Sequence, residues 1–239
     1  MTAQLFKLIG AGVASASLLA ACGGGGGSAA PAPTTPATAT FALSAGYQAR
    51  IVSGKTDNFI VSGSCDGTAQ IKTDPAVLST FNGASYSAAQ VSTITFTTCT
   101  TTKPQTTGTT YFNANYAPIG LAIDGGEYSW NTGQPAPTNF PATVKVGDSG
   151  PISAMTTYAS PNGAVTGQRV LSYKIEADTS TTTAIANIIT TSSDNANPSH
   201  VLSTQQSRYH MAADGTLALA SIDVQFAFTS TLHLVYTPQ

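Results

Sequence analysis

Lys174 and Glu176 stand two residues apart, as do Arg208 and His210, and Asp223 sits inside the apolar series Ile222, Val224, Phe226. On strands, which the surrounding alternation predicts, that spacing puts both members of each pair on one face. If neighbouring strands bring the pairs together, a small charged patch forms that can bind an anion or move a proton. The same residues also make ordinary solvated cross-strand pairs, worth roughly 0.2–1 kcal/mol each, and that is the expected reading. Ser149 is a second candidate, because Gly147-Asp148-Ser149-Gly150 sets a hydroxyl on a tight turn. A base would have to come from His200, His210 or His233, the three histidines of the chain. Asp124 and Glu127 flank two glycines and could touch calcium, but a hairpin turn accounts for them. Metal sites need convergent ligands at short spacing, and neither a His-x-x-x-His nor a Cys-x-x-Cys is present. No metal and no cofactor is therefore expected.

The stretch Gly147–Pro151 resembles the nucleophile signature of chymotrypsin-like serine proteases, with one glycine missing. In that family the general-base His and its orienting Asp precede the Ser. Here every His follows Ser149. The expectation is a turn of Gly, Asp and Ser between strands near Val144 and Ile152.

The amino-terminal residues say more about place than about chemistry. One Lys in Met1–Lys7, an apolar run from Leu8 to Leu19, and Ala20-Ala21 make a secretory signal peptide over residues 1–21. The run is shorter than the roughly 20 residues a permanent membrane helix needs. Leu19-Ala20-Ala21-Cys22 resembles the lipobox of bacterial lipoproteins. That resemblance implies cleavage before Cys22, acyl chains on Cys22, and attachment to membrane through them. Gly23, not Asp, follows the cysteine, which in that family favours the outer membrane, with the protein facing the periplasm or the cell surface.

Residues 22–40 are Gly, Ala, Pro, Ser and Thr after the cysteine, with no large apolar side chain. Such a segment cannot offset its ordering entropy and reads as a flexible tether. Cys65 and Cys99 remain as an even pair in an exported chain, and a disulfide between them is expected. The loop of roughly 30 residues that it closes would contribute about 3–4 kcal/mol. Only 8% of the 239 residues are charged and the net charge is −2. Nucleic-acid binding needs clustered Lys and Arg, so it is not expected.

From Phe41 onward the positioning elements read as strands and turns. Val91–Thr98 alternates apolar with hydroxyl side chains, and Leu171, Tyr173 and Ile175 alternate with Ser172, Lys174 and Glu176. Leu232, Leu234 and Tyr236 do the same at the end of the chain. Cys65-Asp66-Gly67, Asp124-Gly125-Gly126 and Asp214-Gly215 are hairpin signals. Gln48–Val52 reads as a β-prone run, and Trp130 with Tyr128 and Phe140 as core. The expected fold is all-β with antiparallel strands. It has a sandwich-like part over 41–130, a Pro-rich connection over 131–141 and a meander sheet over 142–239. The turn Gly147–Gly150 and the run Ala213-Asp214-Gly215-Thr216-Leu217 resemble a group of uncharacterised bacterial envelope lipoproteins, which carries no functional residues over.

These observations point to a lipid-anchored, non-enzymatic envelope protein that binds a partner protein or serves the surface structurally. A carrier or chaperone of apolar cargo is the alternative, and a hydrolase with an unfamiliar site is the second. An apolar cavity favours the carrier; a polar cleft with a shifted titratable group favours the enzyme.

Overall fold

Apolar residues at every second position decide which face of each strand turns inward, and the chain uses that face to line a barrel. The computed structural model describes residues 34–81, 84–97, 105–133, 135–227 and 232–239, excepting the side chains of 84–89. A helix, α1 (Leu43–Ser53), comes first, and thirteen strands follow. The first seven are β1 (Lys55–Gly63), β2 (Gly67–Thr73), β3 (Val77–Phe81), β4 (Ala84–Phe96), β5 (Gln105–Phe112), β6 (Pro118–Ile123) and β7 (Tyr128–Trp130). The remainder are β8 (Ser149–Tyr158), β9 (Val165–Ala177), β10 (Thr183–Asp194), β11 (Val201–Ala212), β12 (Leu217–Phe226) and β13 (Leu232–Pro238).

Each strand from β4 to β13 pairs antiparallel with the next in sequence. The ring then closes twice over: β13 meets β1 through Val61 opposite Tyr236, and β2 meets β4 through Ile71 opposite Ile94. The result is a barrel of 12 strands. This corrects the expected sandwich and meander, since strands of both halves share one sheet. The residues on the expected greasy faces, such as Tyr173, Ile175, Val224, Leu234 and Tyr236, are buried as foreseen. They meet across a lumen instead of between two layers. β3 continues β2 along the same edge of β4, with the ladder broken at Asp74-Pro75-Ala76. Pro75 has no N–H to donate, so a central strand cannot run through it unbroken.

On three strands the outer face carries hydroxyls, amides and charges: Thr68, Gln70 and Lys72 on β2, Ser172, Lys174 and Glu176 on β9, Gln206, Arg208 and His210 on β11, while Ile60 on β1 and Val77 and Leu78 on β3 are exposed apolar side chains. A bilayer-spanning barrel is dressed the other way, with an apolar band outward. Inside, Glu127 and Arg169 form a sealed bidentate pair, with Nε and Nη2 of Arg169 donating at 2.8 and 2.9 Å. Ser129 Oγ donates to the same carboxylate at 2.6 Å. Glu127 thus serves the lumen and not a calcium site beside the turn.

Helix α1 replaces the expected strand over Gln48–Val52. Its inward positions are 43, 46, 47, 50 and 51, a helical stripe that reads Leu, Gly, Tyr, Arg, Ile. Two of the five are a glycine and an arginine, so an apolar count misses the period. The helix lies across the end of the barrel where β1 starts and β9 ends. Gly54 (φ 65°) terminates it, and Ile51 O accepts from Ala76 N at 3.0 Å and from Gln90 Nε2 at 2.8 Å. Residues 131–148 close the same end. Phe140 packs on Tyr47 with ring centroids 4.1 Å apart, and Phe41 pairs with Val144.

Of the expected tether, residues 34–40 fall within the described chain, and they are held at Thr35 and Ala39 while the rest are exposed. Thr35 is buried, donates through its N–H to Asp178 O at 3.2 Å, and accepts from Asp178 N on its hydroxyl at 2.8 Å. Cys22 and Cys99 lie outside the described residues. Cys65 lies in the β1–β2 turn and packs against the core. Just past β4, Thr97 N donates to Thr68 O at 3.0 Å and extends the β2–β4 ladder by one step.

Candidate functional site

The lumen holds a cavity of about 280 Å³ beneath α1. Its wall is mostly apolar: Phe59, Ile71, Ile94, Phe96, Leu219, Val224, Phe226, Leu232, Leu234 and Tyr236 all face it, with Thr73, Gln90, Ser92, Thr106 and Gln205 among them. Strand alternation puts them there, two residues apart on β1, β4, β12 and β13. Tyr236 meets Phe59 edge-on at 5.8 Å and tilts toward Phe96 at 6.1 Å. At the helix end the lining turns polar, with Tyr47 and Arg50 from α1, Lys55 and Asp57 from β1, and Ser207 and Tyr209 from β11.

Asp57 is clamped by both cations. Arg50 Nη2 reaches Oδ2 at 2.8 Å and Lys55 Nζ reaches Oδ1 at 2.9 Å. The Arg50 guanidinium also lies over the Tyr209 ring, 5.1 Å from its centroid. Burial pushes the Asp57 carboxyl upward, but hydrogen bonds and charge from Lys55 and Arg50 outweigh it and hold the group below its ordinary range. Burial raises both Tyr47 and Tyr209, which keeps their hydroxyls neutral. Lys55 is the open member, with 45% of its side chain exposed against 11% for Asp57. The cavity therefore reaches solvent beside Lys55, at the end that α1 covers. In the wall, Thr106 Oγ1 is sealed and has no hydrogen-bond partner among the described residues.

The candidate patch on the outer face is assembled only in part. Lys174 Nζ is 3.1 Å from Glu176 Oε1, and Arg208 Nε is 3.5 Å from Glu176 Oε2. Arg208 Nη2 also donates to Gln206 at 3.0 Å. His210 turns away to Asp178, with Nδ1 2.7 Å from Oδ2, and Asp223 turns to His233, 3.2 Å away. Three separate groupings result: Lys174 and Arg208 share Glu176, His210 faces Asp178, and His233 faces Asp223. Ser149 lies opposite Lys174 on β9, in the turn that Gly147 (φ 97°) and Asp148 build. His200 sits at the other end of the barrel, between β10 and β11. Among the described residues no three His, Cys, Asp or Glu converge as ligands for a metal ion. Tyr128 and Phe140 are buried, while Trp130 is half-buried on the outer face.

The lumen residues Tyr47, Arg50, Lys55, Asp57 and Tyr209 were not among the sequence-level candidates. One signal for them was present. Lys55 and Asp57 share the two-residue period of Phe59 and Val61, which places two charges on an inward face. No protein-family model, curated protein or solved structure matches the chain.

Proposed function

We propose that the chain is a lipid-anchored binding barrel that holds a small apolar ligand in its lumen. The observation that carries this reading is the cavity of about 280 Å³ with its apolar wall. A packed interior leaves few voids larger than a water molecule, so a cavity of this size lined by aromatic and aliphatic side chains is a binding feature. The polar outer face supports a barrel that stands in water and not one that sits in the bilayer. A binding role without chemistry also fits the outer patch, where Lys174 and Arg208 are both engaged by Glu176. The carrier thus replaces the partner-binding or structural role as the preferred reading, and the hydrolase gains no support.

The anchor belongs to the same proposal. The lipobox-like Leu19–Cys22 supports acylation of Cys22 and an outer-membrane location. Docking of Thr35 beside Asp178 places the start of the barrel at the end that α1 covers. Only the 12 residues Gly23–Thr34 would then separate the acyl chains from the barrel. The mouth beside Lys55 lies at that same end, facing the membrane from which an apolar ligand would come.

The test is direct. N-phenyl-1-naphthylamine, a neutral apolar dye, should bind the purified protein saturably with a stoichiometry near one. Val224→Trp should fill the lumen and abolish the signal while the circular dichroism spectrum stays that of a β protein. Equal dye binding by the folded variant removes the lumen from consideration.

A further inference from the structure

Three charged side chains face the cavity, and they do not cancel. Arg50 and Lys55 carry two positive charges against the single negative charge of Asp57. Both carboxylate oxygens of Asp57 are already engaged, one by each cation. Arg50 is further held over Tyr209. Lys55 is different: its ammonium has three donors, Asp57 takes one, and nearly half of the side chain reaches solvent. The excess charge therefore sits at the mouth, on the residue with donors to spare. Directly behind it the wall becomes Phe59, Ile71 and Ile94.

A net cation at the mouth of an apolar lumen selects a particular kind of molecule. The head must be anionic, because a charge at the edge of a low-dielectric cavity is best answered by an opposite one. The body must be apolar and slim, because a buried polar body would lose its water without compensation. The volume bounds its length. About 280 Å³ accommodates roughly ten groups of the size that water occupies in the liquid, near 30 Å³ each.

We infer that the lumen binds a medium-chain carboxylic acid, with the carboxylate on Lys55 at the mouth and the chain along Phe59, Ile94 and Leu234. This rests on the proposed lumen-binding function and names its ligand class. Lys55 is the selecting residue: it discriminates the acid from the corresponding alcohol.

The probes are decanoate and decanol, each used to displace N-phenyl-1-naphthylamine from the full-length protein at pH 7.5. Decanoate should displace the dye at a concentration at least tenfold lower than decanol. Lys55→Gln should raise the decanoate concentration needed for displacement far more than the decanol concentration and so lose most of that preference, and Lys55→Arg should retain it. A structural role for Lys55 would weaken both competitors together and leave their ratio unchanged, which overturns the assignment. If decanoate and decanol compete equally on the wild type, the ligand class is wrong and the apolar lumen stands. If neither displaces bound dye, or no dye binds, both readings fall.

Discussion

Asp178, buried in the connection between β9 and β10, is the hub of several hydrogen bonds. Oδ2 accepts from Thr183 at 2.6 Å and faces His210 Nδ1 at 2.7 Å, and Oδ1 accepts from Thr179 N at 2.7 Å. Burial works to raise its pKa, but these bonds prevail and hold it at about 2. A carboxylate held below its unfolded value of about 3.9 stabilises the fold at higher pH and loses that contribution as pH falls toward about 2. Wild-type stability in urea should therefore decline between about pH 4 and pH 2 from this source. Asp178→Asn should cost about 1–3 kcal/mol at pH 7, and the gap between variant and wild type should narrow over the same interval. A gap that stays constant down to pH 2 contradicts the assignment. At this scale the sequence was half legible. Spacing placed Lys174, Glu176, Arg208 and His210 on the outer face, where they are. It could not show that His210 answers Asp178 and Asp223 answers His233, because those partners depend on which loops and strands stand alongside.

At the scale of elements, the strands were readable and the helix was not. Alternation predicted β9, β12 and β13 because each has a dry face and a wet one. Helix α1 has no side-chain cap at Ala42, and its inward stripe contains Gly46 and Arg50. Tertiary contact specifies it instead. A Cβ on Gly46 would lie 1.7 Å from Gly215 O, so the helix sits directly on the β11–β12 turn. The contact is backbone on backbone and cannot yield by turning a side chain. Gly46→Val should therefore destabilise the protein by about 1–3 kcal/mol, as overpacking does. It should also lift α1 off the lumen and weaken dye binding, whereas Gly125→Ala, where a Cβ meets nothing within 4 Å, should leave dye binding intact. Equal melting temperatures and dye affinities for wild type and Gly46→Val would show that α1 does not seat this way. The Pro-rich connection was legible as a connection but not as a cap. Its role depends on Phe140 meeting Tyr47, a contact between segments about ninety positions apart in the chain.

For the molecule as a whole, closure was the missing step. Local alternation is the same in a meander and in a barrel; the difference lies in two pairings, β1 with β13 and β2 with β4. The first joins Phe59 to Pro238, almost the whole length of the domain, and no local pattern reports it. Once closed, the ring makes its greasy faces a lumen and its hydroxyl faces a wet exterior. On the proposed reading such a body folds without a membrane, so attachment and folding should be separable. Cys22→Ala tests that. The variant should lose palmitate labelling while its barrel keeps the wild-type melting temperature and dye affinity. Two or more acyl chains make attachment stable where one is marginal. Membrane fractionation should therefore change from wholly bound to whatever the uncleaved leader provides, and a variant lacking residues 1–21 should be soluble. Palmitate incorporation that persists in Cys22→Ala sinks the anchor. A barrel that unfolds without its anchor would show instead that the bilayer contributes to the fold, against the polar exterior that β2, β9 and β11 present.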